Sequence, residues 1–430
     1  GSLTMKVFRL KGFRSFSKCT SKDTFFCPVG FQASGVRCGI KKKDGALDLA
    51  VVRSETPCNA AAVFTTNAFQ AAPCHVSREQ LAINRGKIGG VVVNAGCANA
   101  CTGSRGLQDA FRMVDIANSN GVSNPLIMST GVIGPFLDMD KIEDGIESAA
   151  AQATSEYSGW EMLSRAVMTT DTYPKLFSKR CYNSKGEEIR FAGFTKGAGM
   201  IFPNMATMLS AIVTDANIDS GSLQKALQYA TARSFNSISV DGDTSTNDTL
   251  AVLANGQASS VRITEDNECE DYLSFRDTLT TTASELAQEL VKDGEGATKF
   301  VSVKVENAVS FESARKAGLS IANSSLVKTA LFGQDANWGR ILCAVGYSGE
   351  PVDTSKCSLW FEDEEHPGRS LMLVREGLPL NPIDEDRALQ LLKRPNITLR
   401  VDLAVGSENA TVWTCDFSYD YVKINADYRS

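Results

Sequence analysis

Thr207 lies between a glycine-containing segment and an apolar run, in the stretch KGAGMIFPNMATMLSAIVT. A threonine hydroxyl is a weak nucleophile until a base removes its proton, and the chain holds only two histidines, both of which we interpret as structural. Cleavage of the Ala206–Thr207 bond would free the α-amine of Thr207, whose pKa of about 7.7–8 suits a base. The ordinary alternative is that Thr207 is a buried strand residue, as β-branched residues commonly are.

Two nearby motifs resemble a phosphate-binding loop and a calcium loop, but each lacks residues that such a site requires. Lys196 precedes the glycines of KGAGM, whereas a phosphate-binding loop places its lysine after the second glycine. The segment VDGDTSTNDT at 240–249 matches three ligand positions of a calcium loop, but it lacks the glycine of the sharp turn and the closing glutamate. We therefore predict a network of Asp, Ser and Thr bonds to the backbone there, and no metal site.

The composition is that of an ordinary globular protein with two or three domains. The chain has 430 residues, of which 43% are hydrophobic and 22% charged, and its formal net charge is −6. Neither a basic stripe nor an apolar run of about 18 residues is present, so we predict neither nucleic-acid binding nor membrane insertion. The twelve cysteines include no CxxC pair, which favours reduced thiols over a disulfide framework.

The first 22 residues carry only basic charges, at six Lys and Arg positions. Such a segment is typical of an organellar transit peptide, and a basic tail without a targeting role is the equally weighted alternative. We predict a chloroplast location first and a mitochondrial one second.

The elements that must position Thr207 alternate between strands and helices. LDLAVV at 47–52, AAAVFTT at 60–66, GGVVVNAG at 89–96 and FVSVKVE at 300–306 have strand patterns. Segments 107–121, 221–235 and 281–294 have helical spacing, and the run that starts at Thr207 suits a strand buried on both faces. These patterns predict a mixed α+β protein whose sheets are covered by helices.

In its sequence motifs the chain resembles the ornithine acetyltransferases, which are the glutamate N-acetyltransferases of arginine biosynthesis. The resemblance runs in order from about residue 29 to residue 430. Its motifs are KGAGMIFPNMATML, VFTTN, VVVNAGCANACTG, STGVIG, MTTDTYPK, SFNSISVDGDTSTNDT, VKDGEGATKFV, LVKTALFGQDANWGRI and DYVKINADYRS. The main departure is at Cys97 and Cys101, where VNAGCANACTG differs from the commoner VNSGNANA.

The resemblance implies a layered αββα-type sandwich with a smaller C-terminal αβ domain. It also implies that the chain cuts itself between Ala206 and Thr207 and assembles as two α and two β segments. The domains implied are a basic leader at 1–28, an α segment at 29–206, the first part of the β segment at 207–306, which completes the catalytic sandwich, and a C-terminal domain at 307–430, whose tail reaches the active site.

The family's functional positions transfer onto residues of this sequence. Thr207 matches the nucleophile, and Thr130 with Gly131 matches the pair of the oxyanion hole, where a hydroxyl and a backbone N–H stabilise a tetrahedral intermediate. The positions that match substrate-binding residues are Thr169, Lys196, Thr207, Glu295, Asn425 and Ser430.

The activity implied is transfer of an acetyl group from N-acetyl-L-ornithine to L-glutamate through an acetyl-Thr207 intermediate. No cofactor is implied, although many family members also accept acetyl-CoA as a donor substrate. The expected partners are these small molecules and the chain's own segments. The alternative is an aminopeptidase or amidase of the related self-cleaving fold, in which water would take the acyl group.

Overall fold

The structure is a computed structural model that describes residues 21–202, 208–265 and 269–427. The predicted site residues Ala206, Thr207 and Ser430 lie outside the described residues. The strands of the described part are, in chain order, β1 (Phe31–Val36), β2 (Leu49–Phe64), β3 (Lys87–Cys97), β4 (Leu126–Val132), β5 (Lys175–Tyr182), β6 (Glu188–Lys196), β7 (Leu209–Thr214), β8 (Ile238–Ser239), β9 (Thr249–Ala254), β10 (Phe300–Ala308), β11 (Ser358–Glu362), β12 (Leu371–Arg375), β13 (Leu378–Pro379), β14 (Asn396–Asp402) and β15 (Glu408–Cys415).

The α-helices of the same part are α1 (Ala72–Ile83), α2 (Gly103–Ser119), α3 (Met139–Gln152), α4 (Tyr157–Ala166), α5 (Ser220–Arg233), α6 (Glu270–Lys292), α7 (Phe311–Ala322), α8 (Ser325–Phe332), α9 (Trp338–Gly346), α10 (Glu385–Leu392) and α11 (Tyr419–Asp427). Within the described ranges, none of these helices is long and apolar enough to cross a membrane.

Strand β2 belongs to two parts of the first sheet, whose order is β4-β3-β2-β9-β7-β6-β5, with β1 also paired to β2. Residues 49–53 of β2 pair with β1 and β3, whereas residues 59–64 pair with β9, and the β2–β3 register shifts between them. One apolar cluster contains Ala50 and Val93 from the first part together with Phe194 and Leu253 from the second. The two parts therefore face each other across a shared core.

Helices cover the two outer faces of this folded sheet. On the first part, α2 and α3 pack Met113 and Ile142 in one cluster with Val51 of β2. On the second part, α5 packs Leu227 in another cluster with Ile212 of β7, and α6 joins the same cluster. Side chains alternate between the shared core and these outer clusters, as the period of a strand requires. The layer order is therefore helix, sheet, sheet, helix, which confirms the predicted αββα class.

The second sheet has the order β13-β12-β11-β14-β10-β15-β8. Strand β10 runs parallel to the central strand β14 and antiparallel to β15, and α7 packs Ala314 and Ala317 against Val303 of β10 and Val412 of β15. Strand β8 joins this sheet at its edge, although it lies in the chain between α5 and β9 of the first sheet. The domain boundaries given above stay predictions.

Candidate active site

A cavity of about 160 Å³ lies where β3, β4 and β6 end and β9 begins. Both parts of the first sheet contribute to its wall, and so does the C-terminal helix α11. The residues that line it are Ala98, Thr130, Gly131, Ile133, Thr169, Thr170, Lys196, Ala198, Gly199, Met200, Ser245, Thr246, Asn247, Glu295 and Asn425. All the predicted site residues that fall within the described ranges are in this set.

Thr130 and Gly131 reach the cavity from β4, beside the parallel strand β3. Thr130 pairs with Ala95 and Gly131 with Gly96. Gly131 has a φ of 128°, and a Cβ there would lie 2.4 Å from the carbonyl carbon of Gly96. Only glycine fits this conformation and this close approach. The close approach keeps β4 against β3, and β4 presents the Thr130 hydroxyl to the cavity.

Lys196 connects the two facing parts of the sheet. It ends β6, where it pairs with Leu209 of β7, and its side chain is 2% exposed. Its Nζ donates to Oγ1 of Thr130 at 3.1 Å. Burial lowers the pKa of Lys196, and Asp171 partly opposes that shift. The hydroxyl of Thr130 accepts from Lys196, so its own O–H remains a donor for a further acceptor.

A buried ion cluster of Asp171, Lys175 and Asp293 supports the cavity from behind. Nζ of Lys175 lies 2.6 Å from Asp171 and 2.7 Å from Asp293, and none of the three side chains is more than 3% exposed. Asp171 also accepts the backbone N–H groups of Thr169 at 2.9 Å and Gly197 at 2.8 Å. The cluster therefore fixes the backbone beside two predicted substrate-binding positions.

The charges of this cluster stabilise one another, although at Asp293 burial outweighs the effect of Lys175 and raises the pKa of that carboxyl. Burial alone would raise the pKa of Asp171, but Lys175 and Lys196 outweigh it and hold that pKa well below the ordinary value. Burial likewise acts to lower the pKa of Lys175, and its two carboxylate neighbours raise it instead. No sequence signal singles out these three residues. Asp171 and Lys175 lie in MTTDTYPK, a motif that indicates the family but not an ion pair.

Glu295 and Asn425 form the acidic rim of the cavity. Nδ2 of Asn425 donates to Oε2 of Glu295 at 2.8 Å, and the backbone N–H of Glu295 donates to the carbonyl of Ala198 at 2.8 Å. A Cβ at Gly199 would lie 2.4 Å from the Glu295 carboxylate, so the glycine-rich segment leaves room for this acid. Helix α11 thus brings the predicted tail residue Asn425 to the site.

The loop at 240–248 supplies three cavity residues that are not among the predicted site residues, namely Ser245, Thr246 and Asn247. Nδ2 of Asn247 donates to the carbonyls of Ala98 at 2.6 Å and Ser129 at 2.9 Å. The loop forms the polar network with the backbone that its composition predicts. Within the described ranges, no group of three His, Cys, Asp or Glu residues is arranged to hold a metal ion.

A donor hydroxyl, a buried cation and a carboxylate surround a cavity that suits a small polar substrate. Such a set can bind an amino acid by its charged groups and polarise an acyl carbonyl, so the site fits acyl transfer between small molecules.

Comparisons with known proteins agree with this class. The ArgJ family model matches residues 32–430. A Schizosaccharomyces japonicus protein named "Arginine biosynthesis bifunctional protein ArgJ, mitochondrial" is 48% identical over 411 residues, with 94% of this chain and 93% of the relative covered. Its namesake in Aspergillus niger is 48% identical over 422 residues, with 94% and 92% covered. The chain therefore belongs to the ArgJ family.

Two solved structures are also similar to this chain. The arginine biosynthesis bifunctional protein ArgJ of Bacillus halodurans is 39% identical, with a TM-score of 0.46, 50% of this chain covered and 96% of that chain. The ornithine acetyltransferase of Mycobacterium tuberculosis, solved with ornithine, is 34% identical, with a TM-score of 0.38, 42% of this chain covered and 94% of that chain. The names of the fungal relatives place them in mitochondria, the second compartment in the sequence prediction, and nothing in the comparisons supports the chloroplast.

Proposed function

We propose that the protein transfers an acetyl group from N-acetyl-L-ornithine to L-glutamate, with Thr207 as the nucleophile. Membership of a family whose curated members are bifunctional proteins of arginine biosynthesis supports the pathway. The observation that carries the chemistry is the bond from buried Lys196 to Thr130 at the cavity wall. A cation that holds the Thr130 hydroxyl at the cavity wall supports the assignment of Thr130 to the negative charge that develops on a substrate carbonyl.

The nucleophile is made by self-cleavage. Oγ of Thr207 attacks the carbonyl carbon of Ala206, the peptide C–N bond breaks, and the hydroxyl proton passes to the released nitrogen. Water then hydrolyses the ester, which leaves a carboxylate on Ala206 and restores the Thr207 hydroxyl beside a free α-amine. That amine can serve as the base, because the chain has few histidines and an α-amine titrates near neutral pH.

Acetyl transfer then takes two steps. Oγ of Thr207 attacks the acetyl carbon of N-acetylornithine, its proton moves through the α-amine to the leaving nitrogen, and ornithine departs. The α-amine of glutamate attacks the acetyl ester, gives up a proton, and leaves as N-acetylglutamate while Oγ regains its hydrogen. Thr130 and the N–H of Gly131 stabilise the oxyanion in both steps, which form a ping-pong course.

The remaining predicted residues bind the amino-acid parts of the substrates. We assign Glu295, together with Asn425, to a substrate ammonium, and Lys196 to a carboxylate or to the vicinity of the nucleophile's amine. Thr169 and Ser430 complete the assigned substrate contacts. We propose further that no cofactor is used, that acetyl-CoA is a second donor, that the segments assemble as α2β2, and that the protein is mitochondrial, as its curated relatives are named.

Electrophoresis under denaturing conditions with N-terminal sequencing tests the nucleophile. We expect two chains, one of which starts at Thr207, and we expect Thr207→Ala to remain full-length and to transfer no acetyl group. Thr207→Ser is the matched control, because it keeps a hydroxyl beside an α-amine and should still cleave. A wild-type chain that stays whole, or a Thr207→Ala variant that still transfers acetyl groups, would overturn the proposed mechanism.

The products decide between transfer and hydrolysis. The purified protein is supplied with N-acetylornithine and glutamate, and N-acetylglutamate and free acetate are both measured. We expect N-acetylglutamate to dominate. Dominant acetate release would instead support the alternative amidase, in which water reaches the acyl-enzyme.

A further inference from the structure

The segment at 38–41, between β1 and β2, wraps around the carboxylate of Asp48. Asp48 is fully buried, and its two oxygens accept four successive backbone N–H groups at 2.6–3.0 Å, those of Cys38, Gly39, Ile40 and Lys41. A break in any of these bonds would leave a polar group next to the buried carboxylate without its partner, which is costly. The segment therefore keeps one position relative to β2, which begins directly after Asp48.

The main chain of Asp48 holds the strand beside the predicted oxyanion pair, which is Thr130 with Gly131. Its carbonyl accepts the N–H of Ala95 at 2.8 Å. Ala95 is the residue of β3 that pairs with Thr130 of β4. Asp48 therefore connects the segment at 38–41 to the two strands that present the oxyanion pair.

Two close approaches in series lie behind Gly131. A Cβ on Gly96 would lie 2.7 Å from Cγ2 of Ile40 and 3.4 Å from Cγ of Lys41. Gly131 in turn approaches the carbonyl carbon of Gly96, as described for the cavity wall. Because packed interiors have little free space, a movement of Ile40 or Lys41 would be passed through Gly96 to Gly131.

The side chain of Lys41 reaches a second wall of the cavity. Nζ of Lys41 donates to the carbonyl of Leu47 at 2.7 Å and to the carbonyl of Ala166 at 3.1 Å. Ala166 is the last residue of α4, and Thr169 lines the cavity three residues later. Burial lowers the pKa of Lys41 to about 8, and the charge of Asp48 acts against that shift. Lys41 thus joins the segment that Asp48 holds to the segment that carries Thr169.

We propose that Lys41, held in place by Asp48, braces the oxyanion pair against the segment that carries Thr169. The inference deepens the proposed function and rests on it, because the reaction affected is the acetyl transfer. Lys41 is a positioning residue, since it is not among the residues that line the cavity and acts through those that are. The brace matters because a displacement of about 1 Å at a catalytic group can cost roughly 100-fold in rate.

Steady-state kinetics of Lys41→Met test the brace. Methionine keeps an unbranched side chain but donates to neither carbonyl, so we expect kcat to fall roughly tenfold or more. The kcat/KM values for N-acetylornithine and for glutamate should fall by similar factors, because one oxyanion pair serves both half-reactions. Lys41→Arg, which keeps a donor cation, should be intermediate. The matched control Lys43→Met changes an exposed lysine of the same loop and should match the wild type.

A double-mutant cycle shows whether Lys41 acts through the oxyanion pair. Once Thr130→Ala has removed the hydroxyl, the further loss of kcat/KM caused by Lys41→Met should be at least about threefold smaller than in the wild-type background. A lysine that served only the fold would lower the melting midpoint and leave the kinetic constants of the folded enzyme unchanged. Additive losses would mean that Lys41 does not act through Thr130 and would overturn the brace.

Amide hydrogen exchange tests the brace without any reaction. Peptides that cover residues 95–98 and 167–171 are followed in the wild type, Lys41→Met and Lys43→Met. We expect faster exchange in both peptides of Lys41→Met alone, because the bond that joins the two segments is lost. Exchange in β10 of the second sheet should stay at the wild-type rate. Equally faster exchange in β10 would make the defect a general loss of stability and would overturn the brace.

The outcomes separate the brace from the proposed function. A wild-type protein that forms no N-acetylglutamate contradicts the proposed function, and amide exchange then decides the brace by itself. If the wild type transfers acetyl groups but Lys41→Met stays within about threefold of its kcat, the brace alone is overturned. Unchanged exchange at 95–98 and 167–171 overturns it as well.

Discussion

Two cavities of the described residues differ in size and in the way their charges are arranged. The candidate active site has about 160 Å³, whereas a groove on the second sheet, lined in part by Lys304, Glu362 and Arg400, has about 650 Å³. In the groove, Lys304 lies 2.9 Å and Arg400 2.8 Å from Glu362, and the Arg400 guanidinium stacks 3.7 Å from the ring of Trp360. Each of these cations already has partners of its own.

The smaller cavity leaves its cation only partly compensated, by the nearby charge of Asp171. Lys196 is buried, it forms no ion pair with any described residue, and its close polar contact is the neutral hydroxyl of Thr130. A buried charge is costly unless something balances it, so its presence indicates a ligand or a reacting group that completes the site. In this protein, incomplete pairing of a buried charge distinguishes the candidate active site from the groove, whereas cavity volume does not identify it.

Removal of the unpaired lysine should have the largest effect. We expect Lys196→Met to lower kcat/KM roughly 10²–10³-fold, because the cation that holds the oxyanion donor Thr130 is lost. The melting temperature should stay the same or rise, since the removed charge is buried without an ion partner. Steady-state kinetics and thermal unfolding measure the two effects. A variant within about threefold of the wild-type kcat/KM would show that the charge serves only the fold.

The same lysine should set an alkaline limb of activity. Its pKa is lowered by burial, so the cation that the reaction needs is present below that pKa and is lost as the pH rises through it. The limb should therefore lie below the ordinary lysine value of 10.5. In Lys196→Met the remaining activity should no longer show it.

The paired lysine behind the cavity should matter more for stability than for chemistry. Lys175→Met leaves Asp171 and Asp293 buried without their cation, and we expect a loss of roughly 3–5 kcal/mol in the free energy of unfolding. Chemical denaturation measures it. The control is Lys328→Met, because Lys328 is equally buried and has no ion pair within the described ranges; its loss should be clearly smaller. Equal losses would mean that the ion pairs contribute little.

The pH dependence of stability should report the same cluster. The pKa of Asp171 is depressed in the folded state, so its contribution is present above the ordinary value of 3.8 and disappears as the pH falls through the folded-state pKa. Without Lys175 that pKa should rise towards the ordinary range. The variant should therefore lose less stability than the wild type on acidification below pH 4, although it starts from a lower value.

The rim of the cavity should affect substrate binding with a smaller change. A charged hydrogen bond contributes roughly 1.5–3 kcal/mol, so Glu295→Gln should raise the KM for the amino-acid substrates about 10–100-fold. The kcat should change less, because Glu295 does not contact the reacting carbonyl in our scheme. Asn425→Ala, which removes the 2.8 Å bond to Glu295, is the matched weaker variant. A fall in kcat at unchanged KM would place Glu295 in the chemistry instead.

The sequence predicts part of this arrangement well. The strand pattern at 300–306 corresponds to β10, and Thr130, Lys196 and Glu295 line one cavity although they lie far apart in the chain. Family motifs supplied those residues and the αββα class, whereas periodicity supplied only the individual strands and helices. Two strands predicted at 47–52 and 60–66 are one bent strand, β2, because apolar alternation cannot reveal where a strand passes from one part of a sheet to another.

Other features follow from contacts that no local pattern encodes. Asp171 and Lys175 have a helix-like spacing, and their common partner Asp293 lies 118 residues beyond Lys175, so only the fold brings the three together. Helical spacing predicts only the second half of α6, and the four threonines among residues 278–282, which are weak helix formers, interrupt the helical pattern. In the structure, hydroxyls such as that of Thr278 bond to carbonyls one turn back, and Phe275 and Leu279 pack into the core. Tertiary burial outweighs propensity there.

The groove on the second sheet should give the smallest effect. Lys304→Ala removes ion pairs with Glu362 at 2.9 Å and Glu364 at 3.3 Å, but the lysine side chain is 35% exposed. Pairs of this kind contribute about 0–1 kcal/mol, so the melting temperature should fall by a few degrees at most. The kcat/KM should equal that of the wild type, because neighbouring charges in the groove remain paired and no reacting group depends on them. A loss of activity at unchanged stability would mean that the larger cavity also binds a ligand, and the contrast with Lys196 would no longer hold.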